Sequence, residues 1–229
     1  MDNRFERLSL LVGDDNLEKL KSKRVVILGV GGVGGYVVES LARCGIGNFL
    51  IVDSDTIDIT NINRQIIATD SSIGEYKVDV FKKRLLDINP NINVETSKDF
   101  INEGNYLSLF RGNVDYFIDC CDTLKTKELV IRYALLNDIP IISSMGAGAR
   151  FNPSLLSITD IKKTSYDPIA RRLRKFLKDE HINKKLIVMC SHEKPLKVHG
   201  SIPSNSFVPA SAGLLISSYV FKQLIKRNL

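Results

Sequence analysis

The sequence predicts an α/β protein in which helices flank a mostly parallel central sheet. Two observations lead to this fold class. Short apolar runs alternate with amphipathic stretches over most of the chain, which is the pattern of strand–helix–strand units with right-handed crossovers. A glycine-rich segment, GVGGVGG at residues 29–35, directly follows the apolar run RVVIL at residues 24–28. We expect one domain over residues 1–229, with a short C-terminal extension of the sheet.

The predicted strands should be apolar nearly throughout, because helices cover both faces of a parallel sheet. They occupy residues 24–28, 48–53, 92–96, 114–119 and 139–143. The helices predicted between them occupy residues 33–44, 75–88, 103–110 and 124–137. In the second of these helices, one face carries apolar residues at the helical spacing, namely Val78, Phe81, Leu85 and Ile88.

The last third of the chain is more basic and less regular. Two further strands are predicted at residues 155–160 and 186–190, a loop at residues 193–206 and a closing helix at residues 209–227. Residues 160–185 contain nine Lys and Arg residues against four Asp and Glu, which is most of the net charge of +6. We expect residues 161–185 to form a basic, mobile crossover segment. The charge permits an anionic partner such as RNA but does not require one.

The composition argues against several classes of protein. The cysteines, Cys44, Cys120, Cys121 and Cys190, form no Cys-x-x-Cys pair, so no structural zinc is expected. Their spacing does not suggest a disulfide framework, and a reducing compartment fits better. The polar N-terminal residues are unlike a signal peptide, and no apolar run approaches the roughly 20 residues that span a bilayer. We therefore expect a cytoplasmic protein without membrane contact.

The glycine-rich segment predicts a nucleotide site in a Rossmann-like fold. Gly29-x-Gly31-x-x-Gly34 follows a strand and opens a helix, which is the context that this motif requires. Gly29 suits the tight turn, Gly31 lets the backbone approach phosphate, and Gly34 lets the helix pack closely. Gly32 lies in the same turn, and Asp53 ends the next strand, where a carboxylate binds ribose hydroxyls. The glycines alone fit a dinucleotide as well as ATP.

Polar residues after the second strand favour ATP. The segment DSDTIDITNINRQ at residues 53–65 crowds together Asp55, Asn61, Asn63, Arg64 and Gln65, and the next helix carries Lys77 in its first turn. An arginine and a lysine beside a glycine turn suit a triphosphate, whose charge must be neutralised while the α-phosphate is attacked. Asp122 follows the strand at residues 114–119 and suits Mg²⁺, with waters and phosphates completing the coordination.

Three other features allow a functional and a plain interpretation. The segment RFER carries Arg7 ahead of an amphipathic helix, where a surface charge is the simpler interpretation. Cys120 and Cys121 lie beside Asp122, and small apolar residues that end a buried strand explain them better than a thiolate nucleophile does. The histidines, His181, His192 and His199, all fall in the last third, and none is placed as the proton donor of a hydride-transfer site.

Five features resemble, in order and spacing, the adenylating fold of ubiquitin-activating-type enzymes, a superfamily that includes activators of small sulfur-carrier proteins. They are the segment RFER, the glycine turn, residues 53–65, Lys77 and Asp122. The resemblance implies that the chain binds Mg-ATP and attaches AMP to a carboxylate. It implies phosphate contacts for Gly31, Gly32, Asn61, Arg64 and Lys77, ribose contacts for Asp53 and Mg²⁺ binding for Asp122. It also implies that Arg7 is the arginine donated across a homodimer. The catalytic set would then be Arg7, Arg64, Lys77 and Asp122.

The last third of the sequence indicates which branch of this superfamily the chain resembles. Residues 158–178, and the closing segment from residue 200, are similar to the matching parts of tRNA threonylcarbamoyladenosine dehydratases. These enzymes use ATP to activate the threonine carboxylate of a modified adenosine, and the carbamoyl oxygen then closes a cyclic ester with net loss of water. The resemblance implies tRNA as partner, contacted by Lys162, Lys163, Arg171, Arg172, Arg174 and Lys175. Related activators keep a functional cysteine near the position of Cys190, and a sulfur-relay protein partner is a further expectation.

Three alternatives stay open. An activator of a small sulfur-carrier protein would form an AMP–carrier adduct, although such activators usually carry two zinc-binding cysteine pairs. A nicotinamide-dependent oxidoreductase would bind NAD, and Arg64 and Lys77 would then have no function in the site. A non-catalytic nucleotide-binding adaptor would retain ATP and release no AMP.

Overall fold

In the computed structural model, which describes residues 3–225, a seven-stranded sheet forms the centre of the molecule. The strands are β1 (Arg24–Leu28), β2 (Asn48–Val52), β3 (Asn93–Ser97), β4 (Tyr116–Asp119), β5 (Ile141–Ser144), β6 (Leu156–Asp160) and β7 (Ile187–Ser191). Their order across the sheet is β3-β2-β1-β4-β5-β7-β6. Neighbours are parallel except β6, which pairs antiparallel with β7. The mostly parallel sheet and its short C-terminal extension are thus confirmed.

Helices cover both faces of the sheet. They are α1 (Glu6–Val12), α2 (Asp14–Ser22), α3 (Gly34–Arg43), α4 (Lys77–Ile88), α5 (Leu124–Leu136), α6 (Pro168–Asp179) and α7 (Phe207–Leu224). One apolar core contains buried residues of α3, α4 and α7, and the other contains buried residues of α5 and α6. In α4 the predicted face is correct, since Val78, Phe81 and Leu85 are fully buried. Among the helices of residues 3–225, none has the length and the apolar surface that a membrane span requires.

One predicted helix is wrong in type and start. Residues 103–110 contain only a short 3-10 helix, Tyr106–Phe110. The side chains of Asn102 and Asn105 accept backbone N–H groups of Gly104 and Asn102, at 2.8 Å each. Asparagine side chains that bond locally in this way compete with helical hydrogen bonds, so the preceding residues form turns instead. The closing helix begins earlier than predicted, at Phe207, and residues 226–227 of that prediction lie outside the described part.

The basic segment contains a regular helix, α6. Asp167 caps its N-terminus by accepting the N–H of Ala170 at 2.9 Å, with Pro168 in the first turn. Ala170, Leu173 and Leu177 are buried in the core shared with α5. The charged residues of α6 therefore face away from the core, and the mobility expected for residues 161–185 stays a prediction.

The strand order positions a crevice. The chain runs outward from β1 to β2 and β3 on one side, and from β4 to β5 on the other. The loops that leave β1 and β4 consequently diverge at the carboxyl edge of the sheet, which is where open α/β sheets bind ligands. The glycine turn follows β1, and the loop that carries Asp122 follows β4.

Candidate active site

A cleft of about 810 Å³ opens at the carboxyl edge of the sheet. Most of the residues predicted for the site line it, namely Gly29, Gly31, Gly32, Asp53, Asp55, Asn61, Arg64, Gln65, Lys77 and Asp122. The loop after β5 and the segment before α7 also line the cleft, with Ala147, Gly148, Ile202, Ser204 and, in the first turn of α7, Pro209. Sequence reasoning did not identify these residues, because small and apolar side chains carry no chemical pattern.

The glycine turn packs directly against the loop after β4. Gly29 adopts a φ of +82°, and a Cβ at this position would lie 2.8 Å from the backbone oxygen of Cys120. A Cβ at Gly34 would lie 1.9 Å from the carbonyl oxygen of Gly29. Both positions therefore require glycine, one for the turn and one for the close approach of α3. The N-terminus of α3 then presents backbone N–H groups at the cleft, as anion sites do.

Asp53 connects the glycine turn to the end of β2. One carboxylate oxygen accepts the N–H of Val30 at 2.8 Å, and the other accepts the N–H of Asp55 at 2.9 Å. Hydrogen bonds from N–H groups to a carboxylate are stronger than those between neutral groups. Asp53 therefore fixes the turn besides lying where a ribose would bind, a structural role that its sequence position did not indicate.

Lys77 is a buried cation at the base of the cleft. Its ammonium lies 2.7 Å from an oxygen of Asp55 and 3.8 Å from one of Asp53, and only 6% of its side chain is exposed. Lys77 lies in the first turn of the helix, as the sequence predicts, and α4 begins at this residue, two residues later than predicted. Its two carboxylate neighbours hold the ammonium in place at the cleft wall.

The segment at residues 57–65 holds the polar groups of the rim. Asn61 is buried and accepts the N–H of Asp58 at 3.3 Å. The Arg64 guanidinium donates to the carbonyl of Thr60 at 2.7 Å and to the side-chain oxygen of Asn63 at 2.9 Å. These bonds keep the Arg64 cation on the rim of the cleft.

Gln65 offers an unused acceptor inside the cleft. Within residues 3–225, its side-chain oxygen is the one buried side-chain oxygen or nitrogen atom without a hydrogen-bond partner. Its amide nitrogen would lie 3.7 Å from a Cβ at Gly31. Buried polar groups are rarely left unpaired. The unpaired oxygen beside the glycine turn therefore fits a site that a polar ligand completes.

Asp122 is an exposed carboxylate on the cleft side of the loop after β4, with the Thr123 hydroxyl 3.4 Å away. In the described part of the chain, no three His, Cys, Asp or Glu side chains cluster as an all-protein metal site would need. Mg²⁺ with nucleotides commonly uses one or two carboxylates, with phosphates and waters as the other ligands. An exposed carboxylate in the same cleft as the glycine turn fits that mode of binding.

Beneath this loop lies a buried ion pair that sequence reasoning missed. Lys127 and Asp119 are both almost fully buried, and their charged groups are 2.9 Å apart. Lys127 stands in a helix with several other charged residues, so nothing local indicated its burial. The only signal was the position of Asp119 at the end of an apolar strand.

The cysteines beside the cleft are weak nucleophiles. Burial, together with the neighbouring Asp119 carboxylate, raises the pKa of Cys120 to about 12. Burial and the same carboxylate raise the pKa of Cys121 well above its ordinary value. Both thiols are therefore protonated at neutral pH, which favours the plain interpretation. Cys190 is buried in β7, where burial raises its pKa, and its sulfur lies 3.7 Å from the Ser157 hydroxyl. A functional role for Cys190 stays a prediction.

Two predicted site residues do not line the cleft. Arg7 is exposed on α1, and Asn63 donates to the carbonyl of Ser204 at 3.1 Å. This bond ties the rim of the cleft to the segment before α7.

The residues predicted to contact RNA differ in exposure. Lys162, Lys163, Arg171, Arg172 and Lys175 are exposed. Arg174, in contrast, donates to the carbonyls of Ile161 and Thr164 at 3.2 and 3.3 Å and is half-buried. Its cation holds the turn before α6 and is less accessible than predicted.

A glycine turn at the switch point of a parallel sheet, with two cations and several carboxylates in the same cleft, is typical of an α/β enzyme that binds a nucleotide. Residues 5–226 match the ThiF family, and the chain belongs to this family. The chain is 41% identical to the tRNA threonylcarbamoyladenosine dehydratase of Bacillus subtilis, over 99% of this chain and 96% of that protein. It is 38% identical to the enzyme of the same name from Haemophilus influenzae, over 79% of this chain and 69% of the relative.

The fold is also similar to a solved structure. The crystal structure of Escherichia coli tRNA N6-threonylcarbamoyladenosine dehydratase in complex with ATP superposes with a TM-score of 0.93 at 31% identity. The match covers 98% of this chain and 94% of that chain. The similarity therefore includes the C-terminal third, where sequence reasoning chose among the branches.

Proposed function

We propose that the chain catalyses the ATP-dependent dehydration of threonylcarbamoyladenosine in tRNA by adenylating its carboxylate. The observation that carries this proposal is the cleft, in which Arg64, Lys77 and Asp122 surround the glycine turn at the carboxyl edge. The relatives that match almost the whole chain bear the name of that activity, and one of them was solved with ATP bound. Neither a hydride acceptor nor a thiolate is needed for this chemistry.

The proposed reaction has two steps. A carboxylate oxygen of the substrate attacks the α-phosphorus of ATP, the bond to the bridging oxygen breaks, and pyrophosphate leaves. The carbamoyl oxygen then attacks the acyl carbon of the resulting adenylate, and AMP departs as a proton is released. The nucleoside has thereby lost one water. The first step needs no general base, because an ionised carboxylate is already a nucleophile.

The protein contributes binding and charge. Arg64 and Lys77 neutralise the charge that develops on the phosphates in the transition state, the kind of preorganised electrostatics that dominates such reactions. Asp53 binds the ribose while it holds the glycine turn through Val30. Asp122 would hold Mg²⁺, which neutralises phosphate charge when bound. In this cleft the carboxylate of Asp122 would otherwise repel the triphosphate.

The exposed cations of α6 would face the tRNA. Asp160 pairs with Ile187, the first residue of β7, so β6 ends at the amino edge of the sheet. Asp167 accepts the N–H of Gly146, which follows β5 at the carboxyl edge, at 3.0 Å. The first turn of α6 therefore starts on the cleft side. Arg171 ends that turn, Arg172 follows it, and both side chains are exposed.

Further parts of the proposal concern assembly and location. Arg7 would act on the triphosphate of a neighbouring subunit in a homodimer. Support comes from its exposure on α1, where Leu10 is also 84% exposed. We also propose a single domain, a cytoplasmic location and a sulfur-relay protein partner.

The test is an incubation of the protein with Mg-ATP and tRNA from cells that lack the cyclised nucleoside. The proposal predicts AMP, pyrophosphate and a nucleoside lighter by one water, as measured by mass spectrometry. An Asp122→Ala variant should release no AMP and keep its circular dichroism spectrum, with Asp70→Ala, an exposed carboxylate outside the cleft, as the matched control. An unchanged nucleoside would refute the proposal. An AMP adduct on a small carrier protein, bound NAD, or ATP retained without AMP would each identify one of the alternatives.

A further inference from the structure

The loop after β4 carries Asp122 at the cleft, and a buried network lies directly beneath it. Asp119 ends β4, Ser143 and Ser144 end β5, and Lys127 lies in the first turn of α5. The network therefore joins two strands and a helix at the carboxyl edge. Asp119 and Lys127 do not line the cleft, so neither touches a bound nucleotide directly.

Each charged group of the network forms several hydrogen bonds. One oxygen of Asp119 accepts from the Lys127 ammonium at 2.9 Å and from the Ser143 hydroxyl at 2.6 Å. The Lys127 ammonium also donates to the carbonyl of Ser144 at 2.9 Å and reaches the Ser143 hydroxyl at 3.3 Å. Buried ion pairs are tolerable when further hydrogen bonds satisfy both partners in this way.

The other oxygen of Asp119 holds the loop itself. It accepts the backbone N–H of Cys121 at 3.2 Å and the thiol of the same residue at 3.1 Å. The loop backbone presses against the glycine turn at this point, since a Cβ at Gly29 would meet Cys120 and Cys121 atoms at 2.8 Å. The position of the loop is therefore fixed by hydrogen bonds to Asp119 and by close packing against the glycine turn.

We propose that Lys127 is a positioning residue, which holds Asp119 so that the Cys121 amide, and with it the Asp122 carboxylate, stays at a fixed place beside the nucleotide phosphates. This inference rests on the proposed function, in which Asp122 acts at the phosphates. It assigns a role to a buried lysine that does not line the cleft. The buried ammonium orients a carboxylate, the carboxylate orients a backbone amide, and that amide precedes the carboxylate that faces the cleft.

The experiment compares Lys127→Met with the loss of another buried charge, the carboxylate of Glu39. Glu39 is 6% exposed and bonds to Arg84 at 2.6 and 2.9 Å, between α3 and α4. Glu39→Gln therefore removes a buried charge that forms no hydrogen bond with the loop or with the Asp119–Lys127 network. Hydrogen–deuterium exchange of the peptide at residues 120–124 is measured in both variants. We expect at least tenfold faster exchange in Lys127→Met and no change in Glu39→Gln.

Calorimetry of ATP binding, with and without MgCl₂, gives a second readout that does not depend on turnover. In the wild-type protein Mg²⁺ should strengthen ATP binding. Lys127→Met should reduce that gain at least threefold and leave Mg²⁺-free binding unchanged. Unchanged loop exchange and an unchanged Mg²⁺ effect would overturn the inference, and so would equal changes in Glu39→Gln.

A second variant covers the case in which Lys127→Met does not fold. The double variant Asp119→Ala/Lys127→Met removes both charges together, which buried pairs tolerate better than the loss of one partner. The same faster exchange is expected, because no acceptor remains for the Cys121 amide, and protected exchange would overturn the inference. The proposed function itself fails separately, if the wild-type protein forms no AMP with substrate tRNA while the exchange results hold.

Discussion

The contact between the glycine turn and the loop after β4 makes a quantitative prediction for Gly29→Ala. At a φ of +82° an L-residue costs about 1–2 kcal/mol relative to glycine. The new Cβ would also lie 2.8 Å from backbone atoms of Cys120 and Cys121, which cannot rotate away as a side chain can. Overpacking of this kind adds about 1–3 kcal/mol. The expected loss is therefore about 2–5 kcal/mol in the free energy of unfolding.

Gly112→Ala is the matched control for this prediction. Gly112 has a φ of +74°, and a Cβ there would meet no atom within 4 Å. Only the backbone cost of about 1–2 kcal/mol applies, and both variants share the small gain from a stiffer unfolded chain. Urea unfolding followed by circular dichroism measures both. Equal losses of stability in Gly29→Ala and Gly112→Ala would refute the packing argument.

Other substitutions separate the charges of the site from those of the scaffold. Lys77→Met should lower AMP release with substrate tRNA by about 10²–10³-fold, because a preorganised cation at the phosphates is lost, and a fall under tenfold would contradict the assignment. Glu39→Gln should cost about 1–2 kcal/mol at pH 7. Burial raises the pKa of Glu39, but bonds from arginines lower it overall below 4.5, so the difference from wild type in urea unfolding should shrink as the pH falls below 4.5. If the stability difference between Glu39→Gln and wild type stayed constant down to low pH, the lowered pKa of Glu39 would be contradicted. Arg171→Glu/Arg172→Glu should weaken tRNA binding and reduce its salt dependence by about two ions in filter binding, with ATP affinity unchanged. Lys82→Glu, at an exposed position of α4, should leave tRNA binding and its salt dependence unchanged, and equal effects would contradict the assignment to α6.

The sequence predicted the features that local chemistry determines. Residues 24–28 form β1 as predicted, because an apolar run before a glycine turn has few other structures available. Asp53, Arg64, Lys77 and Asp122 line one cleft because parallel strands bring their carboxyl ends to the same edge. Short-range patterns are enough for such predictions.

Features that depend on distant partners could not be predicted in the same way. Lys127 is buried only because Asp119 and the end of β5 satisfy its ammonium, and those groups lie eight to seventeen residues away in the chain. Arg174 looks like its basic neighbours in sequence, yet it bonds to carbonyls ten and thirteen residues before it. The short 3-10 helix at residues 106–110 follows from asparagine side chains that bond to nearby N–H groups, which periodicity does not reveal.

In the proposed reaction, a carboxylate oxygen of the tRNA nucleoside becomes bonded to the α-phosphorus of ATP. The most direct measurement uses substrate tRNA whose threonine carboxylate carries ¹⁸O in both positions, with mass analysis of the nucleotide products. The oxygen that attacks phosphorus stays with it when the cyclic product forms, so the AMP should contain one ¹⁸O and the pyrophosphate none. Unlabelled AMP, or a label found in inorganic phosphate beside ADP, would contradict adenylation of the carboxylate.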